Sequence, residues 1–358
     1  MDKNLPQIYT HTEEAWKAML EECGKASISI EIEQYIFDQS GIGEKFIEVL
    51  KRKAREGIKV RLLIDTAGSY SFYLSSVPAD LRKSGIEVRF FNVISPWRIP
   101  SFFSWFFRNH RKTLIIDGQI AFTGGTGVGG YMKDWRDTTG RVEGQAVKEM
   151  RRSFQDMWNL ADEKDLISKV KKFRRYSSGK LFVTNAPYFK KRFLYRAFLR
   201  NLSGAKKYIY LTTPYFIPNH QLVRILKRAA KRGVEVKIIL PDKIDVKVVA
   251  LASYGSFGEL LKQGVKIFKY TPAVLHAKTA VVDGKWGTFG SFNLDSLSFV
   301  YNYEANIMTA DSYLVKALES HFIEDLKSSN EVIYEEWRKR PFLNKIKEFL
   351  AHLLRGIL

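Results

Sequence analysis

The chain has 358 residues, 45% of them hydrophobic, enough for one large or two medium domains with a substantial core. Its 58 lysines and arginines against 38 aspartates and glutamates give a net charge of +20, which directs it toward anionic partners, nucleic acid or acidic lipid, without choosing between them. A single cysteine, Cys23, excludes an intramolecular disulfide framework, and the opening MDKNLPQIYTHTEEAW is neither a signal peptide nor long and apolar enough to span a bilayer, so action on a membrane is expected from its surface.

Taken in chain order, the pattern is written twice. SISIEIEQYIF alternates as a strand does, EKFIEVLKRKAREG reads as an amphipathic helix closed by Gly57, and IKVRLLID as a second strand. In the second half KYIYLTTPYFIP, QLVRILKRAAKRG closed by Gly233, and VEVKIILPD repeat that order. LRKSGIEVRFF and LLKQGVKIFKY then add a further helix and strand to each copy. Alternating strands and helices predict two parallel-rich α/β sheets flanked by helices and packed side by side. The expected division is residues 1–165 and 166–340, joined through the charged stretch 161–180, with an amphipathic C-terminal helix over 341–358.

Each copy ends in the same motif, His110-Arg-Lys112 leading to Asp117 and His276-Ala-Lys278 leading to Asp283. On a strand, residues two apart share a face, so each imidazole stands beside an ammonium while Arg111 or Ala277 points the other way. Transfer at a phosphodiester needs a nucleophile, an acid for the leaving alkoxide and cations for the phosphoryl oxygens, and two such copies supply all three. Matched lysines already provide fixed positive charge, and no carboxylate or cysteine cluster has ligand spacing, so neither metal nor organic cofactor is expected.

With these motifs, IEQYIF, Trp135-Arg136-Asp137 and GSFNLDSLSFVYNYEAN, the chain resembles the phospholipase D superfamily, and within it the bacterial-type cardiolipin synthases, in the short form without N-terminal membrane helices. The resemblance covers nearly the whole chain. It implies a duplicated fold with one active site at a pseudo-twofold interface. It also implies transfer of a phosphatidyl group between phospholipids through a phosphatidyl-histidine, two phosphatidylglycerols giving cardiolipin and glycerol. A hydrolytic phospholipase D or a nuclease of the same superfamily is the alternative.

The resemblance makes His110, Lys112, Asp117, His276, Lys278 and Asp283 the catalytic motif residues, with the two aspartates structural and removed from the phosphate. Asp137 and Glu304, at matched distances after the histidines, are implied to orient them, and Ser291, Asn293 and Gly125 to bind phosphate. Asparagine is replaced by Gly127 in the first copy, which either offers backbone N–H groups or makes room for a bulky headgroup.

Substrate class follows from the remainder of the chain. In NVISPWRIPSFFSWFFRNH, Trp97, Phe102, Phe103, Trp105, Phe106 and Phe107 crowd beside Arg98, Arg108 and Arg111, a composition suited to a loop in the lipid interface with arginines at phosphates; a plug packed on the core is the alternative. The C-terminal RPFLNKIKEFLAHLLRGIL repeats apolar residues at helical spacing, for docking either on the protein or in the interface. The expected partner is an anionic phospholipid membrane containing phosphatidylglycerol and cardiolipin, rather than nucleic acid. The expected location is peripheral, on the cytoplasmic face of the cell membrane.

Overall fold

The computed structural model describes residues 6–93, 107–161, 178–244 and 247–353. The strands of the first half are β1 (Gln7–His11), β2 (Ser29–Gln34), β3 (Lys59–Asp65), β4 (Glu87–Phe91), β5 (Thr113–Ile116), β6 (Ile120–Gly124) and β7 (Arg136–Glu143). Those of the second are β8 (Phe182–Asn185), β9 (Tyr208–Thr212), β10 (Glu235–Pro241), β11 (Lys266–Tyr270), β12 (Thr279–Val282), β13 (Trp286–Gly290), β14 (Glu304–Thr309) and β15 (Ser329–Glu331).

The sheets run β1-β7-β6-β5-β2-β3-β4 and β8-β14-β13-β12-β9-β10-β11-β15, the same order strand for strand except for β15 at the second edge. Each is mixed rather than parallel-rich. Only β2-β3-β4 and β9-β10-β11 pair in parallel, because only those strands are joined by crossover helices; β5, β6 and β7 and their counterparts form antiparallel hairpins. The crossover helices Ile42–Arg55 and His220–Lys231 end one residue short of Glu56 and Arg232, and Gly57 and Gly233 follow at φ 84° and 86°, the left-handed step that glycine takes without a Cβ penalty.

The alternation of SIEIEQ hides a strand buried on both faces. Ile30 and Ile32 enter the outer core under the helices Thr12–Lys25 and Ile42–Arg55. The other face carries Glu31 and Glu33, which meet buried Arg61 and Arg111, the latter at 2.9 Å with both side chains fully enclosed. Between the two halves, the helices Gln145–Ala161 and Ser312–Lys327 contribute Met150, Phe154, Val315 and Phe322 to one continuous core. The approach is close enough that a Cβ on Gly140 of β7 would come within 2.4 Å of the Phe289 ring of β13.

Candidate active site

Both H-x-K segments are extended stretches leading into the first strand of a hairpin, β5-β6 or β12-β13. Each hairpin turns on an Asp-Gly pair with positive φ, 54° and 65° at Asp117 and Gly118, 56° and 64° at Asp283 and Gly284. From that turn the Asp117 carboxylate accepts the N–H groups of Ser27, Ile28 and Ser29 at 2.7–2.9 Å, and Asp283 accepts those of Lys206, Lys207 and Tyr208 at 2.8–2.9 Å. The motif aspartates therefore belong to the fold, at the end of the sheet opposite the histidines, and hold the entry of the strand on which the hairpin lies. Of the six motif residues these two take the structural part that the resemblance implies for them. Asp117→Ala is expected to lower unfolding stability by about 1–3 kcal/mol while leaving turnover per folded molecule nearly unchanged. Thermal melts and active-site-normalised rates check this; a large rate loss at unchanged stability contradicts it.

At the other end the halves are stitched together by two short bridges. The His110 N–H donates to the Tyr303 carbonyl at 3.0 Å, and the His276 N–H to the Arg136 carbonyl at 2.8 Å. Tyr303 and Arg136 immediately precede Glu304 and Asp137, so each bridge delivers a carboxylate to the opposite histidine. His110 Nδ1 lies 3.0 Å from Glu304 Oε1, and His276 Nδ1 lies 2.7 Å from Asp137 Oδ2. The orienting carboxylates are the two anticipated, but the pairing is exchanged between halves. Arg136 fixes this crossing from behind, with a bidentate pair to Asp325 at 2.7 and 2.8 Å.

Carboxylates on Nδ1 set the tautomer that leaves both Nε2 atoms toward the site. Lys112 Nζ and Lys278 Nζ donate to the carbonyls of His110 and His276 at 2.8 and 2.5 Å, which places both ammonium groups against their own histidine. Burial lowers the pKa of His110, against the pull of Glu304. Burial and then Lys278 push His276 down to about 4, and burial pushes Lys112 down to about 7. His110 also feels Lys278, and His276 feels Lys112, so the two pairs share one field. Burial alone would raise Asp137 and Glu304; His276, Lys278 and the Thr138 N–H together hold Asp137 low, and His110, Lys112 and the Ser291 hydroxyl together hold Glu304 low.

The phosphate-binding expectations divide. The Ser291 hydroxyl donates to Glu304 Oε2 at 2.5 Å and accepts from the Ala305 N–H, so it positions the carboxylate. The Gly125 N–H donates to the Thr138 carbonyl at 3.0 Å, and a Cβ there would sit 2.1 Å from Asp137 Oδ1: the glycine makes room for the carboxylate. Both are corrected from phosphate ligands to residues that seat the histidine's partner. Gly127 makes no room for a headgroup, since Ile36 and Met132 close on it, each 3.3 Å from the position of a Cβ. Asn293 is different. It is buried, and its side-chain oxygen has no hydrogen-bond partner among the described residues, leaving the carboxamide able to meet a phosphoryl oxygen.

Several residues were without a role in the sequence. Ser298 Oγ donates to Glu304 Oε1 at 2.7 Å from a π-helical turn, Leu297–Tyr301, and Asn302 adds a longer contact. The rings of Tyr35 and Tyr215 stand 4.9 and 6.4 Å from His110 and His276, and Trp135 lies 5.0 Å from His276. Tyr35 and Tyr215 occupy matching places in EQYIF and TPYFI, so aligning the two copies residue by residue would have found them.

Of the aromatic stretch, Trp97, Phe102, Phe103, Trp105 and Phe106, with Arg98, lie outside the described residues. Phe107 packs on the central core with its ring 6.4 Å from Tyr301, and Arg108 and Arg111 are buried against Asp65 and Glu33, so these three are withdrawn from the lipid-facing set. Charge on the opposite side of each arginine explains the difference: both carboxylates are enclosed and need a cation. The C-terminal helix, Phe342–Leu353, docks on the protein through Ala351, which packs with Ile217 and Ala252. No helix among the described residues is long and apolar enough to cross a membrane.

Two histidine-lysine pairs brought to one site by a duplicated mixed sheet define a phospholipase D-like active site. A family model described as cardiolipin synthase, PLD-like domain, matches residues 19–158 and 198–326. The cardiolipin synthase of Geobacillus kaustophilus (strain HTA426) is 33% identical over 364 residues, covering 98% of this chain and 72% of that protein. That of Clostridium perfringens (strain 13 / Type A) is 32% identical over 377 residues, covering 99% and 77%. The crystal structure of phosphatidylserine synthase from Haemophilus influenzae Rd KW20 superposes with a TM-score of 0.77 at 14% identity over 99% of this chain and 95% of that one, a likeness of fold. The chain belongs to the cardiolipin synthase family of phospholipase D-like enzymes.

Proposed function

We propose that the enzyme joins two phosphatidylglycerol molecules into cardiolipin, releasing glycerol, from a peripheral position on the cytoplasmic face of an anionic membrane. The observation that carries the chemistry is the exchanged pairing of His110 with Glu304 and His276 with Asp137, which gives one site two imidazoles with free Nε2 atoms and separate carboxylates. His110 Nε2 attacks phosphorus, the P–O bond to glycerol breaks, and His276 gives its proton to the departing alkoxide. The resulting phosphatidyl-imidazolium is balanced by Glu304. His276, now neutral, takes the proton from a hydroxyl of the second phosphatidylglycerol; that oxygen attacks phosphorus and the P–N bond breaks, restoring His110. Lys112, Lys278 and Asn293 hold the phosphoryl oxygens as charge builds. By resemblance the nucleophile is His110 and the acid-base His276.

Burial keeps both imidazoles neutral in the free enzyme near pH 7, which suits a nucleophile. The acid acquires its proton as an anionic phosphodiester enters, because a negative charge nearby favours the imidazolium. Incubation with phosphatidylglycerol vesicles, with products resolved by mass, tests the reaction. Cardiolipin with glycerol in equal amounts is expected; phosphatidic acid as the main product indicates hydrolysis, and cleavage of single-stranded DNA by an enzyme inert to lipid indicates a nuclease.

The pH profile carries a further expectation. Lys112, held to about 7 by burial, loses its charge as pH rises through that value, so kcat/KM should decline above about pH 7. An anionic phosphate beside Lys112 favours its charged form, so kcat should hold to higher pH. A kcat/KM flat to about pH 9 contradicts a charged Lys112 in substrate capture.

A further inference from the structure

The C-terminal helix is apolar on the side turned away from the protein. Phe342, Leu343, Ile346 and Leu350 are 75%, 70%, 39% and 56% exposed, whereas Glu348 and Ala351 are buried. At about 100° per residue the four exposed residues fall within one arc of roughly 100°, Lys345 and Lys347 border it on either side, and Glu348 and Ala351 lie opposite. A helix that only docked on the protein would turn its apolar arc inward and its lysines out. Here the small Ala351 and a Glu348-Arg340 ion pair at 2.6 Å make the docked side.

The charge on this helix is one-sided as well. Its carboxylate is buried and neutralised by Arg340, while both lysines are exposed. It is tied to the segment that carries a site residue: Ala351 packs with Ile217, two residues beyond Tyr215, whose ring stands 6.4 Å from His276. The first half also leaves apolar side chains exposed near its own tyrosine. The helix Tyr70–Leu74 follows Ser69, which bonds the Tyr35 carbonyl, and it leaves Tyr70 and Leu74 52% and 63% exposed.

We propose that the arc of Phe342, Leu343, Ile346 and Leu350 is a membrane-docking face that lays the active-site mouth on an anionic phospholipid surface, with Lys345 and Lys347 reaching back to headgroup phosphates. The occupant is a bilayer because cations flanking an exposed apolar arc, with the acid withdrawn, complement acyl chains under an anionic headgroup layer. This rests on the lipid substrate proposed above. It explains how a chain whose described helices do not cross a membrane would present its two imidazoles to a headgroup without extracting the lipid.

The test uses the full chain with phosphatidylglycerol-phosphatidylcholine vesicles in a sedimentation assay. The triple substitution Phe342→Ser, Leu343→Ser, Leu350→Ser is expected to weaken vesicle association by roughly 100-fold or more, while turnover of short-chain phosphatidylglycerol dispersed as monomers stays unchanged. The pair Lys345→Ser, Lys347→Ser, which leaves the apolar arc intact, is expected to weaken association by roughly thirty-fold on the anionic vesicles and hardly at all on pure phosphatidylcholine. Vesicle association unchanged in both variants overturns the proposal. So does a wild-type dimer in sedimentation velocity that the triple variant converts to monomer, since the face would then be covered by a second copy. Should the wild type turn over no monomeric phosphatidylglycerol yet bind vesicles through this face, the proposed reaction fails and the docking face stands.

Discussion

His110→Ala is expected to lower phosphatidyl transfer by on the order of a million-fold, because it removes the atom that bonds phosphorus and leaves only binding and electrostatic stabilisation. Its effect on vesicle binding should be small. His276→Ala should cost less on a substrate with a good leaving group, since general acid-base help contributes roughly 10²–10⁴-fold. On phosphatidylglycerol, whose leaving glycerol needs a proton, the loss should approach that of His110→Ala. The double variant should be little worse than His110→Ala alone, as residues acting in one step are not additive. Rates on the two substrates separate these outcomes. A His110→Ala enzyme that retains a hundredth of wild-type activity contradicts its place as nucleophile.

The second large effect comes from the exchanged carboxylates. Asp137→Asn and Glu304→Gln each keep the shape but lose the charge that supports an imidazolium and fixes its tautomer, at an expected cost on the order of 10³–10⁴-fold. The crossing of the bridges makes them distinguishable. Asp137 serves His276 from the other half, so Asp137→Asn should behave as an acid-base defect and be largely rescued by a substrate with a nitrophenyl leaving group. Glu304 serves His110, so Glu304→Gln should resist that rescue. If instead Glu304→Gln is the rescued variant, His110 is the acid-base and His276 the nucleophile.

Much of this was legible because the chain repeats. The matched H-x-K pairs, the helix stops at Gly57 and Gly233 and the positions of Asp137 and Glu304 all come from local spacing that the fold keeps. What spacing does not carry is partnership across the interface. Asp137 and Glu304 are each near one motif in sequence and near the other in space, because Arg136 and Tyr303 bridge to the opposite half. Likewise Ser291 and Gly125 have the composition of a phosphate cradle, yet hydrogen bonding to Glu304 and close packing on Asp137 occupy them. Arg108 and Arg111 look like interfacial cations beside a run of aromatics. Only the tertiary structure reveals that Asp65 and Glu33 are buried beneath them and require neutralisation. The parallel-rich expectation failed for a related reason: the segments after each H-x-K are too short for crossovers, and their Asp-Gly turns dictate hairpins.

The covalent intermediate is the most direct point of attack on the two-histidine mechanism. His276→Ala, supplied with a phosphatidyl ester of nitrophenol, can still be attacked at phosphorus but lacks the base that activates the acceptor, so a phosphatidyl adduct should accumulate. Because a phosphoramidate is labile in acid, the adduct is sought by intact-protein mass at neutral pH and then by digestion. The expected result is one phosphatidyl group on the peptide containing His110. An adduct on His276 in the reciprocal His110→Ala enzyme, and never on His110, reverses the roles. Turnover of the nitrophenyl ester with no adduct in either variant contradicts transfer through a phosphatidyl-histidine.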